Sequence, residues 1–257
     1  MAVYLAPDKK KTWKGVTVNE YFLTVHNPNK ISLPAKRSGD CIGVTIHNTG
    51  RIVTSAQTTP AEQYTRATVN GNMNTVRVHF YVDDVGAWQN LPLDWQSWHA
   101  GQSGKADANG SQAGNAQTIS IECIMNGSGD EKDLKARDNA ARLIAYLLEI
   151  YGGELYTHNY WCNVRNGKKG TVDELNKLND GYKNCPIYIR PKWDDFKALV
   201  QSYRNQAVAE PADDDEMYYL QIGAFRDRKS AEAALKTAQT EKRAYPEAFL
   251  KKFTKET

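Results

Sequence analysis

The sequence predicts an α/β protein, and three observations carry that reading. Short segments rich in β-branched residues, "CIGVTIHNTG" (41–50), "TVRVHFYVDD" (75–84) and "TISIECIM" (118–125), are interleaved with amphipathic helical patterns. One of those patterns, residues 130–153, is long enough to cover a sheet. A change of composition at residues 207–216, "AVAEPADDDE", reads as a linker and sets residues 217–257 apart as a second, smaller unit.

Residues 1–40 read as polar, with "HNPNKISLPAKRSGD" (26–40) as a loop. In the first strand, Ile42, Val44 and Ile46 alternate with Gly43 and Thr45, and Asn48, Thr49 and Gly50 stop it. His47 is left at the carboxyl end, where open α/β sheets hold their ligands; alone it is equally a surface histidine. Residues 59–72 form a helix with Thr59 as cap, Pro60 in the first turn and Asn70-Gly71 at the end. After the strand at 75–84 comes "GAWQNLPLDWQSWHAG" (86–101), with Trp88, Trp95, Trp98 and His99, readable as core or as a glycan platform. "SGKADANGSQAGNAQ" (103–117) has the composition of a loop before the strand at 118–125. The helix of 130–153 carries Leu134, Leu143, Ile144, Leu147, Leu148 and Tyr151 and closes at Gly152-Gly153. A further helix, 191–206, carries Trp193, Phe196, Leu199 and Val200 on one face. Beyond the linker, "MYYLQIGAF" (217–225) and "EAFLKKF" (247–253) read as strands around an Ala-rich helix, 228–242, in a tail of nine basic and five acidic residues.

Composition excludes several classes. With 40% hydrophobic and 25% charged residues and a net charge of +3, nothing suggests a nucleic-acid partner. No run approaches the roughly 20 apolar residues that would insert in a membrane. The start, "MAVYLAPDKKKTWKG", lacks the apolar run of a secretory signal, so the expected location is the cytoplasm. Cys41, Cys123, Cys162 and Cys185 are widely spaced, which fits buried thiols or single metal ligands better than a disulfide framework.

A catalytic zinc takes three ligands from His, Cys and carboxylates and keeps one position open. His47, His158 in "YTHNYW" and Cys185 in "YKNCPIY" are candidates, although Cys185 alone also reads as a structural thiol. Lys183, two residues earlier, shares its face in an extended segment and suits oxyanion stabilisation. Cys162, four residues after His158, is an alternative ligand if that segment is helical. In "TISIECI", Ile119, Ile121 and Cys123 fall on one face and Ser120 and Glu122 on the other. A carboxylate within an apolar strand costs several kcal/mol unless paired or functional, and general base is one such function.

Taken in order, "VTIHNTG", "VHFYVDD", "WHAG", "TISIECI", "YTHNYW" and "YKNCP" resemble the zinc-dependent N-acetylmuramoyl-L-alanine amidases, the group of phage-lysozyme-type amidases and peptidoglycan recognition proteins. The resemblance covers roughly residues 20–205 and is greatest to phage endolysins of Gram-positive hosts. It implies a mixed central sheet with helices on both sides. It also implies hydrolysis, in bacterial peptidoglycan, of the amide between the muramic acid lactyl group and L-alanine. His47, His158 and Cys185 match the zinc ligands, Lys183 the lysine supporting the tetrahedral intermediate, and Glu122 the catalytic glutamate. His79 and His99 fall on motif positions lining the groove; each reads equally as a substrate contact or as a packed, hydrogen-bonded structural histidine. Members that use a catalytic tyrosine place it where this chain has Val78, which leaves the acid–base work to Glu122. The segment 159–182 is longer than in many relatives and is expected to form groove wall. An endolysin would act on the wall after release from an infected host's cytoplasm. A wall-binding module without catalysis and a host wall-recycling amidase are the competing readings. The tail resembles the opening of a SPOR domain, of which it holds one of two βαβ halves; two tails pairing would make a homodimer. The expected division is therefore an amidase domain at 1–206, a linker at 207–216 and the tail at 217–257.

Overall fold

The structure, a computed structural model, describes residues 5–52, 58–101, 111–179, 183–205, 218–220 and 250–252. The chain divides into two compact units, Met1–Gln206 and Ala207–Thr257. Among the described residues the first carries seven strands: β1 (Lys9–Trp13), β2 (Val16–Glu20), β3 (Gly43–Gly50), β4 (Phe80–Val82), β5 (Ala87–Gln89), β6 (Thr118–Met125) and β7 (Glu154–Thr157). They form one mixed sheet in the order β1-β2-β5-β4-β6-β3-β7. The pairs β1–β2 and β4–β5 are antiparallel; β4, β6, β3 and β7 run parallel to one another.

Helices cover both faces of the sheet. On one face lie α3 (Glu131–Tyr151) and α6 (Trp193–Asn205), the latter preceded by a 3-10 turn at Arg190–Lys192. Asp130 caps α3 by accepting from the Asp133 amide, and Gly152 ends it at φ 67. Ala136, Ala140, Leu143, Ile144, Leu147 and Leu148 of α3 meet Val44, Ile46, Ile119, Ile121 and Cys123 of the sheet in the main core. Each fully buried large aliphatic side chain there contributes on the order of 1.5–3 kcal/mol. On the other face lie α1 (Pro60–Val69), α2 (Ser111–Gln117) and α4 (His158–Arg165), with α5 (Val172–Lys177) packed on α4. Thr59 caps α1 with Pro60 in its first turn, as the sequence leads one to expect.

Several elements depart from expectation. Residues 9–20 form a hairpin on the sheet edge, because Trp13, Val16 and Val18 are buried within an otherwise polar stretch. The strand expected over 75–84 narrows to Phe80–Val82, since the Asp83 side chain accepts from the Val85, Gly86 and Ala61 amides and turns the chain. Part of the expected 103–117 loop is α2, whose packing against α4 overrides a Gly/Ser/Asn composition. Leu134 is 50% exposed instead of facing the core. In the second unit β8 (Tyr218–Leu220) and β9 (Leu250–Lys252) pair antiparallel; the helix expected between them lies outside the described residues.

The starts of β3 and β7 abut through two glycines. Gly43, at φ +142, would bring a Cβ within 1.9 Å of the Glu154 carbonyl oxygen, and Gly153, at φ +78, within 2.0 Å of that of Ile42. Gly43→Ala is therefore expected to lower the urea unfolding free energy by about 2 kcal/mol or more. Gly50→Ala, at the other end of the strand with nothing within 4 Å, should change it by no more than about 0.5 kcal/mol.

Candidate metal centre and active-site cleft

Three neighbouring parallel strands deliver the central residues. In β3 and β6, His47 sits directly opposite Glu122; in β3 and β7, Ile46 sits opposite Thr157. Ile46 and Ile121 point into the core, so His47 and Glu122 share the opposite face. Thr157 ends β7 and caps α4, its hydroxyl accepting from the Tyr160 amide, so His158 opens that helix beside His47. Glu122, His47 and His158 thus stand side by side at the carboxyl ends of adjacent strands.

Cys185 arrives on the segment before α6. Asn48 seats it: Oδ1 accepts from the Tyr188 and Ile189 amides, while Nδ2 donates to the Cys123 carbonyl. The Asn159 amide donates to the Cys185 carbonyl. The Cys185–Pro186 peptide is cis. Ligand atoms of His47, His158 and Cys185 all lie within 4.8 Å of one another. His47 Nδ1 is 3.1 Å from His158 Nδ1, 3.7 Å from Cys185 Sγ and 3.8 Å from Glu122 Oε1.

The hydrogen bonds fix which nitrogens carry protons. His158 Nε2 is 2.9 Å from the Gly101 carbonyl, and His99 Nε2 is 3.0 Å from that of Gly114; a carbonyl only accepts, so both are Nε2–H. His99 Nδ1 is then an acceptor, and His47 Nε2 donates to it over 2.8 Å. Both His47 and His158 consequently turn an Nδ1 lone pair toward the same point, near a thiol. Two lone pairs 3.1 Å apart repel unless a cation lies between them. This donor set, two imidazole nitrogens and a sulfur, suits zinc.

These groups line an open cleft of about 730 Å³ with Lys183. Thr75, Val76 and Trp98 supply further wall. Burial holds His47 well below the usual histidine range, with the neighbouring His158, His99 and Lys183 adding to it. Burial, then the Lys183 charge, lowers His158 to about 3. Burial raises Glu122 to about 8 against the pull of Lys183, although its side chain is 14% exposed. Burial, then Glu122, raises Cys185 to about 12, opposed by the Asn48 backbone N–H. Without a cation, every one of these groups is pushed toward its neutral form; a divalent ion reverses the carboxyl and thiol directions.

Other expectations need correction. His79 is fully buried: Nε2 donates to the Trp95 carbonyl at 3.0 Å, and Nδ1 accepts from the Ser120 amide at 3.1 Å. Of its two readings, the packed and hydrogen-bonded one describes its surroundings. His99 lines the cleft, but both its nitrogens are engaged by protein. Residues 158–165 are helical, yet Cys162 is not grouped with His47 and His158, whereas Cys185 is. The described part of segment 159–182 does not line the cleft; Asn176 instead ties it to Thr157 and Leu155, and Asn163 to Leu175 and Leu178. Of the three tryptophans, Trp88 is buried and Trp98 lines the cleft, while the Trp95 carbonyl holds His79. Sequence reasoning missed Asn48, whose only signal was its place immediately after His47.

The fold and site together define an α/β protein whose central sheet carries a candidate His–His–Cys metal centre and a buried carboxylate in one cleft. Residues 38–186 match the Amidase_2 family, N-acetylmuramoyl-L-alanine amidase, and the chain belongs to that family. The chain is 32% identical over 160 residues to the N-acetylmuramoyl-L-alanine amidase XlyA of Bacillus subtilis (strain 168), covering 61% of this chain and 43% of that protein. It is 34% identical over 190 residues to the amidase CwlH of the same organism, covering 73% and 62%. The chain thus spans less than two thirds of the length of these curated relatives. The solved catalytic domain of XlyA superposes with a TM-score of 0.50 at 28% identity, covering 71% of this chain and 98% of that domain.

The packed histidine gives a pH test. Burial, with the Arg37 charge, lowers His79 to about 3 from an ordinary 6.5, while the Trp95 carbonyl opposes. Between those values the unfolded chain binds the proton and the folded one does not, so His79's contribution is intact above pH 6.5 and lost as pH falls toward 3. From pH 7.5 to 5, His79 alone should account for a loss of about 2 kcal/mol of urea unfolding free energy. In His79→Gln the pH-dependent loss should shrink by that amount, whatever the variant's stability at pH 7.5.

Proposed function

We propose that the chain is a zinc-dependent N-acetylmuramoyl-L-alanine amidase that hydrolyses the lactyl–L-alanine amide of bacterial peptidoglycan. The observation that carries this reading is the meeting of His47 Nδ1, His158 Nδ1 and Cys185 Sγ within 4.8 Å, beside Glu122 and Lys183 in one cleft. Membership of the amidase family supports it. His47 and His158 would hold zinc through neutral nitrogens and Cys185 through a thiolate. When bound, zinc supplies a Lewis acid and lowers the pKa of its water. Glu122 takes a proton from the attacking water and returns it to the leaving L-alanine amine as the C–N bond breaks. Lys183 brings positive charge to the developing oxyanion. Trp98 and Val76, both half-buried on the cleft wall, offer an apolar surface to sugar or peptide.

Digestion of purified Gram-positive walls should release new α-amino groups of L-alanine and no new reducing sugar ends. Wild type should carry one zinc per chain. Cys185→Ser should lose both zinc and lysis; Glu122→Gln should keep zinc and lose about 10²–10⁴ in rate. New reducing ends would identify a glycosidase instead, and walls bound without cleavage a recognition module.

The cellular role that fits this chemistry is that of an endolysin, acting on the wall after release from an infected host. Residues 217–257 are read as a SPOR-like wall-binding unit that pairs with the tail of a second chain. Light scattering on the full chain should then give twice the monomer mass at micromolar concentration; a monomer at all concentrations would discard tail pairing.

A further inference from the structure

Both nitrogens of His99 are bonded to protein, it is 7% exposed, and it touches a proposed metal ligand. We propose that His99 is a positioning residue that fixes the tautomer of His47, and that a buried hydrogen-bond chain behind it holds His99 in turn. This inference rests on the metal-centre reading above for its consequence, though not for its geometry.

The direction of every bond in the chain follows from donor capacity. The Trp161 indole N–H donates to Thr45 Oγ1 at 2.9 Å. Thr118 Oγ1 donates to the Gly114 carbonyl at 2.6 Å, so its proton is spent, and Thr45 Oγ1 must donate to it across 2.8 Å. The Gly114 carbonyl also accepts from His99 Nε2–H. That leaves His99 Nδ1 as a lone pair, able to accept only from His47 Nε2–H. The proton on His47 is thereby kept off Nδ1, the nitrogen facing His158 and Cys185.

The chain joins the elements that carry the site. Thr45 lies on β3 with His47, Thr118 on β6 with Glu122, Trp161 on α4 with His158, and Gly114 on α2. Asn115 adds a second hold on the His99 backbone, Oδ1 accepting from the His99 and Ala100 amides at 2.9 and 2.8 Å. At Gly114 a Cβ would fall 2.7 Å from Ala100 Cβ and 3.0 Å from the Trp161 ring, so the close approach of α2 requires a glycine there. An imidazole ligand whose far nitrogen is held by a partner of fixed tautomer is pre-oriented for metal.

Two variants separate acceptor from bulk. His99→Asn can keep an acceptor oxygen near the Nδ1 position; His99→Phe keeps the ring and removes it. The Gly114 carbonyl retains Thr118 in both. Zinc affinity, by competition with a chromophoric chelator, should fall about 10–100-fold in His99→Phe and at least tenfold less in His99→Asn. Nitrogen-15 NMR of the metal-free chain should show His47 protonated at Nε2 in wild type and His99→Asn, with the proton shifting to Nδ1 in His99→Phe. Wild-type zinc affinity in His99→Phe, equal weakening in both variants, or wild-type His47 protonated mainly at Nδ1 would each overturn the proposal. If His99→Phe does not fold, the wild-type tautomer and the His99→Asn affinity still decide. A wild type that binds no zinc would sink the metal-centre reading, and the metal-free tautomers would judge His99 alone.

Discussion

The register of three parallel strands is the constraint on which the rest depends. With His47 opposite Glu122 and Ile46 opposite Thr157, the sheet presents a carboxylate, an imidazole and a helix-opening imidazole in one row. A slip of one residue would turn His47 and Glu122 into the core against α3 and bring Ile46 and Ile121 into the cleft. The hydrophobic pattern therefore specifies the site as well as the fold. Ile46 and Ile121, which must face α3, oblige His47 and Glu122 beside them to face the cleft. Gly43 and Gly153 complete the arrangement, because only residues without a Cβ let the starts of β3 and β7 come together.

That arrangement carries an electrostatic cost. His47, His158, Glu122 and Cys185 are pressed toward their uncharged forms by burial, and the first two aim lone pairs at each other across 3.1 Å. A core chosen for stability alone would not hold four such groups together, since each unsatisfied polar group costs on the order of 1–3 kcal/mol. Glu122 Oε2 is buried with no hydrogen-bond partner, which marks the same tension. A divalent cation relieves all of it at once: it separates the lone pairs, favours the thiolate and favours the carboxylate. The site is frustrated by itself and consistent with an ion, which is the sense in which the donor chemistry fits zinc.

The legibility of this protein in its sequence follows the range of the forces involved. β3, β6, α1, α3 and α6 were readable because their periodicity and caps are local, and Glu122 was readable because it interrupts an apolar strand. The ligand candidates needed the resemblance, since nothing local says that residues 47, 158 and 185 meet. The β1–β2 hairpin was hidden by lysines on its exposed side, and α2 by a composition that only its contacts with Ala100 and Trp161 override. His79 and His99 could not be divided between packing and substrate contact for one reason. Motif position places a histidine near a groove, but what its two nitrogens bond to depends on Trp95, Ser120, Gly114 and His47, which arrive from elsewhere in the chain.

The cleft combines two kinds of support. His47, Glu122 and His158 sit on the sheet or directly at its edge; the Gly101 carbonyl holds His158, and His99, itself bonded to the Gly114 carbonyl, holds His47. Cys185 and Lys183 come on an irregular segment whose position is set from outside, by Asn48 through the amides of Tyr188 and Ile189. A single asparagine beside His47 therefore couples the position of Cys185 to that of His47. Two nitrogens are preset by the rigid sheet, and the sulfur is brought to them by a segment whose anchor is the strand end itself. Lys183 lies on the same irregular segment, so whatever seats Cys185 also sets where its ammonium stands in the cleft.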